Sequence, residues 1–348
     1  MTYLYEKPIT PATGLRLHLN ENTGGCSPAV IDALRGITAE AIALYPDYSE
    51  AITAAARRLC VPESNLLLTN GLDEGILAAS IAAVRRSGRG SAEAIVVLPA
   101  FDMQPSCADA AGARIVDVPL RDGFEFPTEE VIAAVTPATR IIFITTPNNP
   151  TGRTAPRAGI SAIAAAAPQA LVFVDEAYAD FSGSSLIGDP ALAAHSNIIV
   201  GRTFAKAYGL AALRCGALVG APERLEAIRR VLPPYNINIA TAVALPAALS
   251  DREYYEWYLG QVRESRRLLY ATCDRLGIPY WRSDANFVLA HFGDRAADLC
   301  ARLAARGIYV RDRSKTRGCA GCVRITAGIL EHTRRCANAI EEVLCAAR

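Results

Sequence analysis

Residues 140–178 read RIIFITTPNNPTGRTAPRAGISAIAAAAPQALVFVDEAY. Two short runs, RIIFITTP and ALVFVDEAY, are rich in β-branched and aromatic residues and apolar at successive positions. That is the texture of strands buried on both faces in a largely parallel sheet. Between them lie a turn signal, NPTG, and an amphipathic small-residue run, SAIAAAAPQ. Strand, helix and strand in this order predict an α/β sheet covered by helices.

The same texture extends in both directions. NLLLTN (65–70), AIVVLPA (94–100), ARIVDVPL (113–120), NIIVGRTF (197–204) and CGALVGA (215–221) are further strand candidates, and DEGILAASIAAVRRSG (73–88) is a helix candidate. From about Ala240 the pattern changes. One long helical stretch (241–277) precedes the shorter strand candidates IPYWRS, ANFVLAHF, GIYVRDR and CVRITAG. The expected architecture is a three-layer α/β/α large domain with a mostly parallel sheet over residues 41–245. A smaller α+β C-terminal domain covers 246–348, and residues 1–40 form an N-terminal segment.

The chain has 348 residues, 36 of them Lys or Arg and 35 Asp or Glu, for a net charge of +1. This balance gives no electrostatic footprint for nucleic acid or an acidic membrane surface. The start of the sequence, MTYLYEKPITPATG, lacks a basic region followed by an apolar run, and no apolar stretch reaches the length of a membrane helix. A cytoplasmic protein is expected. Cys60, Cys107, Cys273 and Cys300 read as small buried hydrophobes. Cys319 and Cys322 have CxxC spacing but no second pair suited to zinc. His18, His195, His291 and His332 show no metal spacing and read as surface or structural residues.

The chemistry gathers where the central strands end, and in open α/β sheets ligands bind at those carboxyl ends. ITTPNNPTG delivers Asn149, VFVDEAY delivers Asp175 and Tyr178, and RTFAKAYGLAALR delivers Thr203, Lys206 and Arg214. Lys206 is one of three lysines, beside Lys7 and Lys315, in a chain that otherwise uses arginine, and it sits among Phe204, Ala205, Ala207 and Leu210. An apolar setting lowers a lysine pKa and makes its amine a usable nucleophile, whereas arginine stays protonated. A buried acid suits a protonated ring nitrogen, Asn and Tyr suit a phenolic oxygen, and an arginine with a helix N-terminus holds a phosphate. Together they describe a pocket for pyridoxal phosphate. Taken singly, each residue has a plainer reading: a snorkelling lysine, a helix-capping Asp175, an ordinary turn, surface arginines, a core Phe101. Their order and spacing favour the pocket.

With these motifs in hand, the chain resembles the aspartate aminotransferase superfamily (fold type I), and within it the histidinol-phosphate aminotransferases. PNNPTG, VDEAY, AKAYGLAALRCG, YVRDR and GCVRITAG occur in the family's order. The resemblance implies that Lys206 binds the cofactor through its amine and moves the substrate α-proton. It implies that Asp175 pairs with the ring nitrogen, Asn149 and Tyr178 bond the ring oxygen, and Phe101 stacks on the ring. Leu72 and Asp73 would offer backbone N–H groups to the cofactor phosphate, with Thr203 and Arg214 completing that site. Tyr45 would reach the cofactor of a partner subunit, which implies a homodimer with shared sites. Arg324 would hold the substrate carboxylate, with Asn22 and Asn286 nearby, while Arg311 and Tyr3 would read a substrate phosphate. The substrates so implied are histidinol phosphate and 2-oxoglutarate, giving imidazole acetol phosphate and glutamate.

The sequence also departs from the family. Ala205 stands where a serine usually touches the cofactor phosphate, a hydroxyl worth about 1 kcal/mol. Phe101 replaces a usual tyrosine, Ala217 a common aromatic, and NENTGG lacks the proline and aromatic that follow the asparagine. Thr23, Gly24 and Ala217 therefore leave open an aminotransferase for another amino acid, aromatic or in a specialised pathway. A threonine-phosphate decarboxylase-like lyase on the same scaffold is also open. A ligand-sensing regulator is disfavoured, since only about 25 residues precede the fold and none forms a basic helix.

Overall fold

Seven short apolar segments build the main sheet. The structure, a computed structural model, describes residue 11, residues 13–85, residue 87 and residues 91–345. Among these, the strands are β1 (Leu15–Arg16), β2 (Leu66–Asn70), β3 (Glu93–Leu98), β4 (Arg114–Pro119), β5 (Thr139–Thr145), β6 (Leu171–Asp175) and β7 (Ile198–Thr203). They continue with β8 (Cys215–Gly220), β9 (Tyr280–Trp281), β10 (Phe287–His291), β11 (Ile308–Tyr309), β12 (Arg311–Asp312) and β13 (Cys322–Thr326). The main sheet has the order β2-β8-β7-β6-β5-β3-β4. Its strands run parallel from β4 through β7, and β8 is antiparallel to both its neighbours. All seven strands expected here from the sequence are present.

Side chains alternate across a strand. Ile142, Ile144, Val172 and Val174 therefore join one buried cluster, and Ile141, Phe143, Leu171 and Phe173 join the other. The first cluster takes in Val131, Ile160 and Ile163 from helices Thr128–Ala133 and Arg157–Ala166. The second takes in Ile76, Ala79 and Cys107 from helices Gly71–Val84 and Met103–Ala110. This is an α/β fold with helices on both faces of a mostly parallel sheet. Continuous apolar strands are explained by that double covering.

The helical stretch over 241–277 is two helices, Ile239–Ser250 and Arg252–Leu276. The break is at Asp251, whose side chain accepts a hydrogen bond from Tyr254 N–H at 3.0 Å and caps the second helix. Beyond it a four-stranded antiparallel sheet has the order β12-β13-β10-β9, packed against helices Arg252–Leu276 and Ala296–Ala305, on which helix Leu330–Cys345 lies in turn. β1 pairs with β11, and Thr326 N–H donates to Leu17 O at 3.0 Å. The segment around residues 15–20 is thereby stitched to the smaller sheet. Cys60 is an exposed helix cap with φ 56° and Cys300 is only partly buried, so two of the four cysteines read as core lie elsewhere.

Asn197, buried ahead of β7, donates its amide to the carbonyls of Ala164, Ala167 and Ala170 at 3.0–3.2 Å. Asn197→Ala strands those carbonyls, and the expected loss of stability is about 1–3 kcal/mol, read from urea unfolding midpoints at unchanged m-value.

Candidate active site

The carboxyl ends of β2, β3, β5, β6 and β7 open into a cavity of about 260 Å³. It is lined by Lys206, Asp175, Asn149, Tyr178, Phe101, Leu72, Asp73, Thr203 and Arg214, and also by Arg311 and Arg324 from the smaller sheet. Eleven of the residues singled out in the sequence thus share one cavity.

Lys206 sits in the turn after β7. Phe204 N–H bonds back to Cys215 O at 3.1 Å and Leu210 N–H to Phe204 O at 3.2 Å, which closes the turn. The Lys206 ammonium donates to Leu19 O at 3.0 Å. Burial pulls its pKa down to about 8, and the nearby Arg324 charge adds to the fall while Glu21 and Asp73 oppose it. The amine therefore loses its proton far closer to neutrality than a free lysine does.

Asp175 ends β6 and is 2 % exposed. It accepts Ala177 N–H at 3.0 Å and the Gln104 amide at 3.1 Å. Burial nevertheless raises its pKa to about 6, because those two donors recover only part of the lost hydration. Gln104 also bonds Thr145 at 2.8 Å, so its amide is fixed. The Tyr178 hydroxyl accepts the amide of Asn20 at 2.9 Å and lies 3.5 Å from that of Asn149. Arg324 is buried, donating to Asn149 Oδ1 at 2.5 Å and His18 O at 2.6 Å.

The start of helix Gly71–Val84 is closely approached by Arg214 and by β8. Gly71 has φ +76°, and a Cβ there would meet Arg214 Nη2 at 2.5 Å. Gly216 on β8 approaches the Leu72 nitrogen so closely that a Cβ would lie 2.7 Å from it. Arg214, itself at φ 57°, donates to Asp73 at 2.7 Å. Thr203 Oγ1 accepts Ala205 N–H at 3.2 Å.

The remaining residues singled out fall elsewhere. Asn22 is not in the cavity lining; its amide donates to Ala207 O at 3.1 Å and braces the lysine turn. Asn286, likewise off the lining, donates to Asn20 O at 3.1 Å. Tyr45 is 78 % exposed and stacks on Tyr235 with centroids 4.3 Å apart. Tyr3 lies outside the described residues. His18, read as structural or surface, lines the cavity. Sequence reasoning missed Asn20, Glu21, Gln104, Asp102 and Arg313. NEN and RDR offered a signal for Asn20, Glu21 and Arg313, whereas nothing in FDMQPSC marks Gln104.

A family model described as aminotransferase class I and II matches residues 12–340. The chain belongs to that family. It is 33 % identical to a histidinol-phosphate aminotransferase of Methanococcoides burtonii over 340 residues, 96 % of this chain and 91 % of the relative. One from Anoxybacillus flavithermus is 33 % identical over 95 % of this chain and 89 % of its own. The solved histidinol-phosphate aminotransferase of Sinorhizobium meliloti, in complex with pyridoxal-5'-phosphate, superposes with a TM-score of 0.85 at 26 % identity, covering 96 % and 92 % of the two chains. The protein is thus a pyridoxal-phosphate-dependent aminotransferase of fold type I. The donor set fits the cofactor: an amine of lowered pKa, a buried acid short of donors, and a helix start opened by two glycines.

The raised Asp175 pKa has a stability consequence. The folded, cofactor-free chain holds this proton up to about pH 6 while the unfolded chain releases it near 3.8. Asp175 therefore costs stability that grows as pH rises between those values and is complete above them. Asp175→Asn without cofactor is expected to be more stable than its parent near pH 7, by roughly 3 kcal/mol, and little or no more stable near pH 4. Its turnover with cofactor falls about 10²–10³-fold. Urea titrations at the two pH values and steady-state rates check both.

Proposed function

We propose that this aminotransferase moves an amino group between histidinol phosphate and 2-oxoglutarate, giving imidazole acetol phosphate and glutamate. The observation that carries the reading is Arg311. It opens into the cavity that holds Lys206, and no carboxylate lies within ion-pair range of it among the described residues. An arginine so placed suits a phosphate on the substrate. The names of the curated relatives point the same way.

In this reading Leu72 and Asp73 N–H, the Thr203 hydroxyl and Arg214 hold the cofactor phosphate, and Phe101 covers a ring face. Asp175 keeps a proton at the ring nitrogen, and Asn149 and Tyr178 fix the ring oxygen. Bound pyridoxal phosphate supplies an aldehyde to take up the amino group and a ring to take up the electron pair released at the α-carbon. Lys206 holds and returns the α-proton at Nζ, a role its lowered pKa suits. Arg324 orients the carboxylate of glutamate as a fork.

We further propose a cytoplasmic homodimer with shared sites. Ile42, Leu44, Tyr45 and Tyr235 are more than half exposed, an apolar group suited to a subunit contact through which Tyr45 reaches the partner's cofactor. All ten cysteines are free, which suits a reducing compartment.

Single-turnover spectra test the substrate. Glutamate and histidinol phosphate should each bleach the visible cofactor band; a band that persists with histidinol phosphate overturns that donor. Carbon dioxide released from threonine phosphate without a keto product would instead favour the lyase. Arg311→Ala should raise KM for histidinol phosphate by about tenfold to a hundredfold, the loss of a charged hydrogen bond. Equal rises for histidinol and its phosphate would remove Arg311 from its role.

A further inference from the structure

The smaller sheet turns more positive charge toward the cavity than the proposed reaction uses. Arg311 on β12 stands directly across from Arg324 on β13. Arg313 follows two residues after Arg311, and its N–H extends the ladder to Cys322 O at 2.9 Å. Residues two apart on a strand share a face, and like charges placed opposite one another repel. All three arginines line the same cavity. Arg324 is committed to Asn149 and His18. Arg313 has no such commitment. It is 8 % exposed, and its Nε is buried without a hydrogen-bond partner among the described residues. The carboxylate in ion-pair range, Asp102, lies 3.9 Å from Nη1, too far for a hydrogen bond. A buried guanidinium in that condition is incomplete.

We propose that Arg313 is a specificity-determining residue which, with Arg311, grips the anionic group at the far end of the substrate. The site then takes amino compounds whose distal end carries a phosphate monoester or a second carboxylate. This deepens the proposed function and rests on it. In a two-stroke transfer both amino compounds must use one pocket, and one ends in a tetrahedral phosphate while the other ends in a planar carboxylate. Two guanidinium groups present ten N–H donors in fixed forks and can meet either shape. Asp102, half-exposed at the rim, is the resting counter-ion and yields to the incoming anion. Burial holds the Arg313 pKa below the usual arginine value and Arg311 adds to that, with Asp102 opposing; the charge of an entering anion acts in the same direction as Asp102.

The test uses the holoenzymes of Arg313→Gln and Arg313→Lys. Half-reactions are followed spectrally with histidinol phosphate against histidinol, and with glutamate against norvaline, which lacks the distal carboxylate. Inhibition by inorganic phosphate is measured alongside and needs no turnover. Arg313→Gln should weaken half-saturation by histidinol phosphate and glutamate, and inhibition by phosphate, by about tenfold or more. Histidinol and norvaline should stay within about twofold, and Arg313→Lys should recover part of the loss. Equal weakening of all four donors would make Arg313 a structural strut, and no weakening of any would reduce it to a partner of Asp102; either overturns the proposal. If the parent enzyme ignores histidinol phosphate, that donor assignment fails by itself, while glutamate against norvaline and phosphate inhibition still decide Arg313.

Discussion

Two adjacent carboxylates, Asp175 at the end of β6 and Glu176 just after it, are treated by the fold in opposite ways. Strand alternation sends Asp175 toward the cavity and Glu176 to the other side of the sheet. Glu176 is met by a full set of partners: Leu186 N–H at 2.6 Å, the Ser185 hydroxyl, and Arg202, which also pairs with Asp180 at 2.8 Å. Asp175 has a backbone N–H and one amide, and no cation in ion-pair range among the described residues. One buried acid anchors the sheet, and the other is left short of positive charge. In the proposed reading, that shortage is what a protonated ring nitrogen would fill.

Lys206 and Asp175 are both driven toward their neutral forms by burial, the lysine downward and the acid upward. In the proposed reading the opposite shifts separate their duties, because an amine that gives up its proton easily can shuttle one, and an acid whose buried charge is costly gains from a protonated ring nitrogen. Neither sits on freely moving chain. Asp175 is in register with Thr145 and Gly201 on its neighbours, and the lysine turn is clamped by Asn22 and by bonds back to β8.

Much of this was legible in the sequence because parallel strands must be apolar on both faces, and because the reactive residues fall directly after them. Lys206, Asp175 and Arg214 could be placed from their strands alone. Gln104 could not, since it comes from a short helix whose pattern carries no sign that one amide will meet Asp175 across the sheet edge. Asn22 was assigned to the substrate region from its motif, whereas the chain path through β1 turns its amide toward Ala207. The single helix read over 241–277 shows the reverse failure: Asp251 before Arg-Glu is an N-cap signal, hidden by apolar periodicity on either side.

Ala205 bears on how the proposed phosphate site divides its work. With alanine there, Thr203 supplies the hydroxyl, and it already accepts Ala205 N–H and lies 3.4 Å from Cys215 O. A hydroxyl so engaged has limited capacity left. The burden then shifts to Arg214 and to the N–H groups at the start of the 71–84 helix, where the dipole favours an anion. Arg214 is engaged with Asp73, a half-exposed pair whose own contribution is small. Exchanging that carboxylate for a phosphate dianion is therefore cheap, and Gly71 keeps the guanidinium close enough to make the exchange without moving the helix. The site trades a hydroxyl for a charge that is already poised beside it.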